Sequence, residues 1–175
     1  MASFFGHALT SIAIGKGFSF KNKTLKFWIL AIFCAVLPDA DVISFKLGIP
    51  YASFWGHRGF THSILFALLV GVFIALLFYR SKKWYLYAVF FFLATVSHTL
   101  LDALTNGGLG VALFSPFDNT RYFFPWRPIQ VSPIGIENFL SERGWRVIKS
   151  ELFYIGIPSI IFIGFTRLKA YLKKP

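Results

Sequence analysis

The sequence predicts an all-α integral membrane protein: a bundle of about four transmembrane helices, with a short N-terminal helix and an irregular, partly helical loop region. Three observations carry this. The 175 residues are 56% apolar and 20% aromatic with only 14% charged, against roughly 25% charged residues in ordinary soluble domains. Four apolar runs stand out, Leu25 to Pro38, Ile64 to Tyr79, Trp84 to Leu101 and Leu152 to Phe165. The basic residues sit in short clusters between these runs rather than along one polar face, which is how membrane-flanking charge is distributed. The net charge of +11 therefore points to a lipid bilayer and not to a nucleic-acid partner. The length calls for one unit, residues 1–175.

Each run is somewhat shorter than the ~20 residues that cross a hydrocarbon core. Flanking lysines must then snorkel, or the helix ends must be wrapped in protein. A weaker run, Ala8 to Gly15, is too short to span alone and can pack as a half-helix among the others. Cys34 stands alone inside an apolar run, so it forms no intrachain disulfide and is expected to serve packing. The first residues, Met-Ala-Ser-Phe-Phe-Gly-His, lack the cationic region that precedes the apolar core of a secretory signal, and mature protein is expected from Met1.

The charges orient the bundle. Lys16, Lys21, Lys23 and Lys26 precede the first run, Arg80, Lys82 and Lys83 separate the second from the third, and Arg167, Lys169, Lys173 and Lys174 follow the last. No acid accompanies them, which by the positive-inside rule marks the cytoplasmic side of a multi-pass protein of the cell (plasma) membrane. Asp39 to Ser63 and Asp102 to Glu151 then lie together on the opposite, non-cytoplasmic face with the N-terminal tip, and hold all seven acids. Between Asn106 and Ser150 the pattern turns irregular, with Gly107, Gly108, Gly110 and four prolines, before Ile136 to Glu151 forms a short amphipathic helix. A loop of this length is usually functional. No repeat is visible, so inverted-repeat transporter architecture gains no support.

All four histidines, His7, His57, His62 and His98, fall at the outer ends of apolar segments. His98 and Asp102, spaced i and i+4, share a helix face where both can reach one ion; the alternative is a hydrogen-bonded pair that fastens two helices. In Pro38-Asp39-Ala40-Asp41 the proline stops the helix, and two carboxylates can face the same way in an extended turn. They repel unless a cation sits between them or one is protonated, the alternative being a solvated acidic turn. His57 and His62 stand in Gly56-His57-Arg58-Gly59-Phe60-Thr61-His62-Ser63, where Thr61 or Ser63 can cap the next helix. His7 alone would be an ordinary core histidine, and gains weight from where its segment ends.

Together His7, Asp39, Asp41, His57, His62, His98 and Asp102 are candidate metal ligands, a nitrogen and oxygen set that suits zinc, or else manganese, better than calcium or magnesium. Seven donors exceed one tetrahedral site, so two ions are expected. Ionisable groups in a membrane protein mark function by default.

With these motifs, together with Thr105 and Gly107, the chain resembles the YdjM-like family of membrane-bound metal-dependent hydrolases. The order of donors is also similar to the zinc-dependent phospholipase C and single-strand nuclease group. That second resemblance implies ligation by His7, Asp39, His57 or His62, His98 and Asp102, with Asp102 bridging metals. The group's later histidine-plus-acid helical pair is absent, and Glu137 is the nearby acid able to substitute, unless it is a first-turn helix acid.

The expected activity is hydrolysis of a phosphoester, of a phospholipid or lipid-linked phosphate, by metal-activated water. Asp39 or Asp41 would take the proton, and Arg58 would meet phosphate oxygens, as Arg121, Arg127, Arg143 and Arg146 also could. Phe114, Phe117, Tyr122, Phe123, Phe124 and Trp126 make an aromatic-rich loop that suits a lipid substrate, or an interface belt. Two other classes stay open: a metal- or proton-coupled transporter, which wants its donors at the bilayer midplane, and a non-catalytic scaffold with a structural metal, which wants a closed site.

Overall fold

In the computed structural model, residues 1–20 and 23–172 are described. Along them run α1 (Phe4–Gly17), α2 (Leu25–Val36), a 3-10 turn (Leu37–Val42), α3 (Ile43–Lys46), a second 3-10 turn (Phe60–His62), α4 (Ile64–Phe78) and α5 (Trp84–Ala103). After a long loop come α6 (Ile136–Phe139), α7 (Glu142–Glu151), a π turn (Leu152–Gly156) and α8 (Ile157–Leu172). Among the described residues there is no strand, only isolated bridges. Lys21, Lys173 and Lys174, which contribute to the orienting charge, lie outside the described residues.

Leu25–Lys46, Trp84–Ala103 and Glu142–Leu172 are helical stretches long and apolar enough to cross a membrane, and Ile64–Phe78 is apolar but shorter. At 1.5 Å per residue α4 rises only about 22 Å, short of a ~30 Å hydrocarbon core. The fold is the all-α membrane bundle that composition predicts. Two boundaries differ: the run Ala8 to Gly15 lies inside the longer α1, Phe4–Gly17, and the amphipathic segment is interrupted. The expected amphipathic helix Ile136 to Glu151 is broken before Glu142, where Ser141 is extended (φ −124°, ψ 173°), and α7 instead runs on through the π turn into the apolar α8. The π turn falls where Ile157 N–H donates to the Leu152 carbonyl just before Pro158, which has no N–H to continue the ladder.

Hydroxyls set the helix starts: Ser3, Thr24 and Ser63 accept from the N–H groups of Gly6, Phe27 and Phe66. Of the two candidate caps for α4 it is Ser63 that acts. Helices α4 and α5 pack backbone to backbone through Gly71, where a Cβ would lie 2.6 Å from Phe92 N and 2.7 Å from the Ala88 carbonyl. Around this contact Phe27, Ala31, Cys34, Val70, Ile74, Phe90, Phe91 and Ala94 form an apolar core. The outer surface is also apolar, with Ile29, Phe33, Leu69, Phe73, Val89, Ile160, Ile161 and Phe165 exposed.

The irregular loop after α5 is pinned over one end of the bundle. Val111 and Tyr122 exchange two 2.9 Å backbone bonds, Ala112 N–H donates to the Arg58 carbonyl (3.0 Å), and Ser132 N–H to that of Met1 (2.9 Å).

Candidate metal centre

Two turns and one helix end meet beneath that loop. Pro38 lies in the 3-10 turn that follows α2 and carries Asp39 and Asp41. The expected extended turn is therefore corrected to a 3-10 turn, whose residues advance about 120° each, so the two side chains reach different neighbours although one oxygen of each lies within 4.8 Å of the other. Asp39 faces His62 and His98, while Asp41 faces His57, Arg58 and Thr61. The last turn of α5 supplies His98 and Asp102, with Nε2 and Oδ2 4.0 Å apart.

Asp39, His62, His98 and Asp102 each offer one ligand atom, all within 4.8 Å of one another. His98 Nδ1–H donates to the Ala35 carbonyl at 2.7 Å, a group at the end of α2 where helical partners run out. That bond fixes the ring so that the Nε2 lone pair faces the group. His98 Nε2 lies 3.1 Å from His62 Nε2 and 3.4 Å from Asp39 Oδ1. His62 Nε2 lies 3.7 Å from Asp39 Oδ1 and 3.6 Å from Asp102 Oδ2. Ligand bonds of about 2.0–2.2 Å at tetrahedral angles separate ligand atoms by about 3.3–3.6 Å, which these edges bracket.

Asp39 Oδ1 and Asp102 Oδ2 are buried and have no hydrogen-bond partner. Two carboxylate oxygens that accept no hydrogen bond, opposite two imidazole nitrogens, form a set that could hold a metal ion. His62, in the turn ahead of α4, registers this field. Burial lowers its pKa, but Asp102, Asp39 and Asp41 together raise it to about 10. Absent a metal, a proton on His62 answers the carboxylates; a metal ion would take that proton's place.

A second group, Asp39, Asp41 and His57, also brings its ligand atoms within 4.8 Å, so Asp39 belongs to both. His57 Nδ1 lies 2.6 Å from Asp41 Oδ1. Asp41 Oδ2 accepts from Arg58 N–H (3.0 Å) and the Thr61 hydroxyl (2.5 Å), and lies 3.2 Å from His62 Nδ1. With both oxygens engaged, Asp41 orients the rings of His57 and His62.

His7 stacks on His98, ring centroids 3.7 Å apart at 14°. Its Nε2 is 3.5 Å from Asp102 Oδ1, and it stands beside the ligand groups rather than within either. Arg58 is fully buried, at φ 62°, a left-handed conformation uncommon for any residue but glycine. Its Nε lies 3.0 Å from Asp102 Oδ2 without the alignment of a hydrogen bond. Nη1 donates to the Gly107 carbonyl (2.8 Å) and Nη2 to the Thr105 hydroxyl (3.0 Å). Arg58 thus neutralises and positions Asp102. Arg121 donates to the carbonyls of His57, Tyr51 and Ser53 and so staples the histidine-bearing segment. Glu137 is exposed, outside both groups.

Sequence reasoning missed the hydrogen bond of Thr61 to Asp41 and the burial of Glu151. The Thr61 hydroxyl had a sufficient local use as a cap. Glu151 accepts from Ser3 N–H and, at 2.5 Å, from its hydroxyl, a contact between distant segments that spacing does not reveal. Beside the second group opens a cavity of about 520 Å³, lined by Tyr51, His57, Arg58, Asn138, Ser141 and Arg143 among others.

Helices clad in apolar side chains, closing on a buried histidine–aspartate cluster at one end, define a membrane protein with groups that could hold a metal ion. Residues 1–172 match the family described as YdjM inner membrane protein, and the chain belongs to that family. It is 38% identical over 164 residues to the inner membrane protein YbcI of Escherichia coli (strain K12), covering 90% of this chain and 92% of that protein. Both descriptions name a location and no reaction. No solved structure matches the chain.

Proposed function

We propose that the chain is a multi-pass membrane hydrolase that cleaves the phosphoester of a phospholipid or lipid-linked phosphate with the help of zinc, or else manganese. One observation carries the reading: the oxygens of Asp39 and Asp102 that accept no hydrogen bond, buried opposite His62 and His98, with a cavity walled by His57, Arg58 and Arg143 close by. A divalent ion held by Asp39, His62, His98 and Asp102 would lower the pKa of its water to about 7. Asp39 belongs to both groups, and if one of its oxygens stays free its accessible edge (14% exposed) makes it the better candidate to accept a proton than the saturated Asp41. Arg58 fixes Asp102, and Arg143, exposed on the cavity wall, offers the guanidinium that suits phosphate. By the charge pattern the site opens on the non-cytoplasmic face.

A structural metal clip is the second reading, and a specific observation favours it. Asp39, His62, His98 and Asp102 already make four protein ligands, three of them fully buried, as in closed structural sites. A transporter gains nothing comparable, since the donors sit at helix ends.

The test is elemental analysis of detergent-purified protein, wild type beside His98→Ala and Asp102→Ala, followed by phosphatase and phospholipase assays. The expected result is about one to two tightly held ions, lost in both variants together with ester cleavage. Metal without cleavage in the wild type selects the clip. No metal in the wild type overturns both readings.

A further inference from the structure

The α7 side chain of Arg143 lines two neighbouring hollows. Inward is the 520 Å³ cavity with His57 and Arg58. Outward is a groove of about 840 Å³, with Arg146, Lys149, Asn106, Gln130 and Ser150 on its walls. Neither lining contains an acid; Glu137 and Glu142, the acids of α6 and α7 nearest by, are exposed and line neither, while Glu151 is turned to Ser3.

From this placement, and resting on the phosphoester reading above, we infer that the substrate carries a second phosphoryl group next to the scissile one, the inner cavity taking the first and the Arg143–Arg146–Lys149 groove the second. Arg143, Arg146 and Ser150 fall on one face of α7 over the buried Val147. Like charges three residues apart on a helix repel, and an anion between them converts that repulsion into charge-assisted hydrogen bonds. The neutral groups agree. Asn106 uses its Nδ2 to donate to Gln130 Oε1 (2.9 Å) and its Oδ1 to accept from Val131 N–H (3.0 Å), which leaves the Gln130 amide hydrogens as donors. The inner cavity alone would serve a monoester; Arg143, which lines both it and a second acid-free basic hollow, is what fits two linked phosphoryl groups.

The experiment is calorimetric titration of the full chain in detergent with methylenediphosphonate, whose P–C–P bridge cannot be hydrolysed, and with methylphosphonate, its single-phosphoryl counterpart. Wild type is expected to prefer the diphosphonate by about tenfold or more, the scale of one or two hydrogen bonds to charged groups. The double variant Arg146→Gln, Lys149→Gln, both exposed and remote from the metal groups, should lose that preference, while Lys82→Gln, Lys83→Gln at the other end of the bundle keeps it. No preference in the wild type, a preference that survives in the groove variant, or an equal loss in both variants each overturns the inference. A preference found in a protein that cleaves no ester removes the hydrolase reading and leaves the two-phosphoryl site standing. A third titration, with farnesyl diphosphate, names the source: tighter binding than the diphosphonate marks a lipid-linked group, and equal binding a soluble one.

Discussion

Helix α5 passes through two interiors. In one stretch its buried side chains include Phe90, Phe91 and Ala94, which meet Phe27, Ala31, Cys34, Val70 and Ile74. A turn further on they are Ser97, His98, Thr99 and Asp102, of which His98 and Asp102 meet Asp39, His62 and Arg58. Lipid tails are as apolar as phenylalanine, so the first interior is held by close fit, as where Phe27 stacks on Phe90 with centroids 4.7 Å apart. The second is held by charges that are costly to bury and remain only where they are paired or used. Stability and chemistry are therefore expected to separate along a single helix.

The largest effect should come from Asp102→Ala. It strips the counter-charge from the fully buried Arg58 and removes a ligand, costing about 3–5 kcal/mol and abolishing metal binding. Phe91→Ala is expected to cost a similar about 3–5 kcal/mol through its cavity, with the metal content of the folded fraction unchanged. Unfolding in detergent, with metal counted per folded molecule, measures both. If Phe91→Ala empties the site as thoroughly as Asp102→Ala does, the two interiors are one unit. Asp41→Asn comes next, because it loosens the His57 and His62 rings without deleting a ligand of the four-residue group. Metal affinity measured against a competing chelator should fall by about 10–100-fold, with little loss of stability.

How much of this was legible in the sequence differs between the same two regions. Composition and charge spacing were enough for the bundle, because apolar runs and flanking lysines are local properties. The histidines and aspartates at run ends were also legible as one cluster, since alternating spans bring alternate ends together. Which member does what was not. Asp39 and Asp41 divide their work because of a 3-10 turn, which two-residue spacing does not announce. His7 stacks on His98 instead of joining the ligand group, and Arg58 turns inward to Asp102; both depend on how α1 and the loop pack. The break before Glu142 and the π turn ahead of Pro158 were hidden by a continuous helical pattern across them.

A gentler probe is pH. Among Asp102, Asp39 and Asp41 the His62 pKa rises from 6.5 to about 10. In metal-free protein the raised value contributes stability that is complete below the unfolded pKa of 6.5 and is lost as pH climbs through about 10. A metal ion bound by His62 would displace that same proton. Apparent affinity should then climb by about tenfold per pH unit across this window and level off above it. A flat profile between pH 7 and 9 would mean that His62 is not a ligand.

The smallest effect sharpens the boundary itself. Ser63 follows His62 directly and caps α4 by accepting from Phe66 N–H at 3.0 Å, so it belongs to the helix although it adjoins the site. Ser63→Ala should cost about 1 kcal/mol and leave metal affinity alone, because His62 is held from the other side by Asp41 and Thr61. A stability loss without an affinity loss would show that the carboxylate network, and not the helix start, sets the position of His62. An affinity loss that tracks the stability loss would mean that the α4 cap is part of the metal centre and that the division along α5 does not extend to this helix.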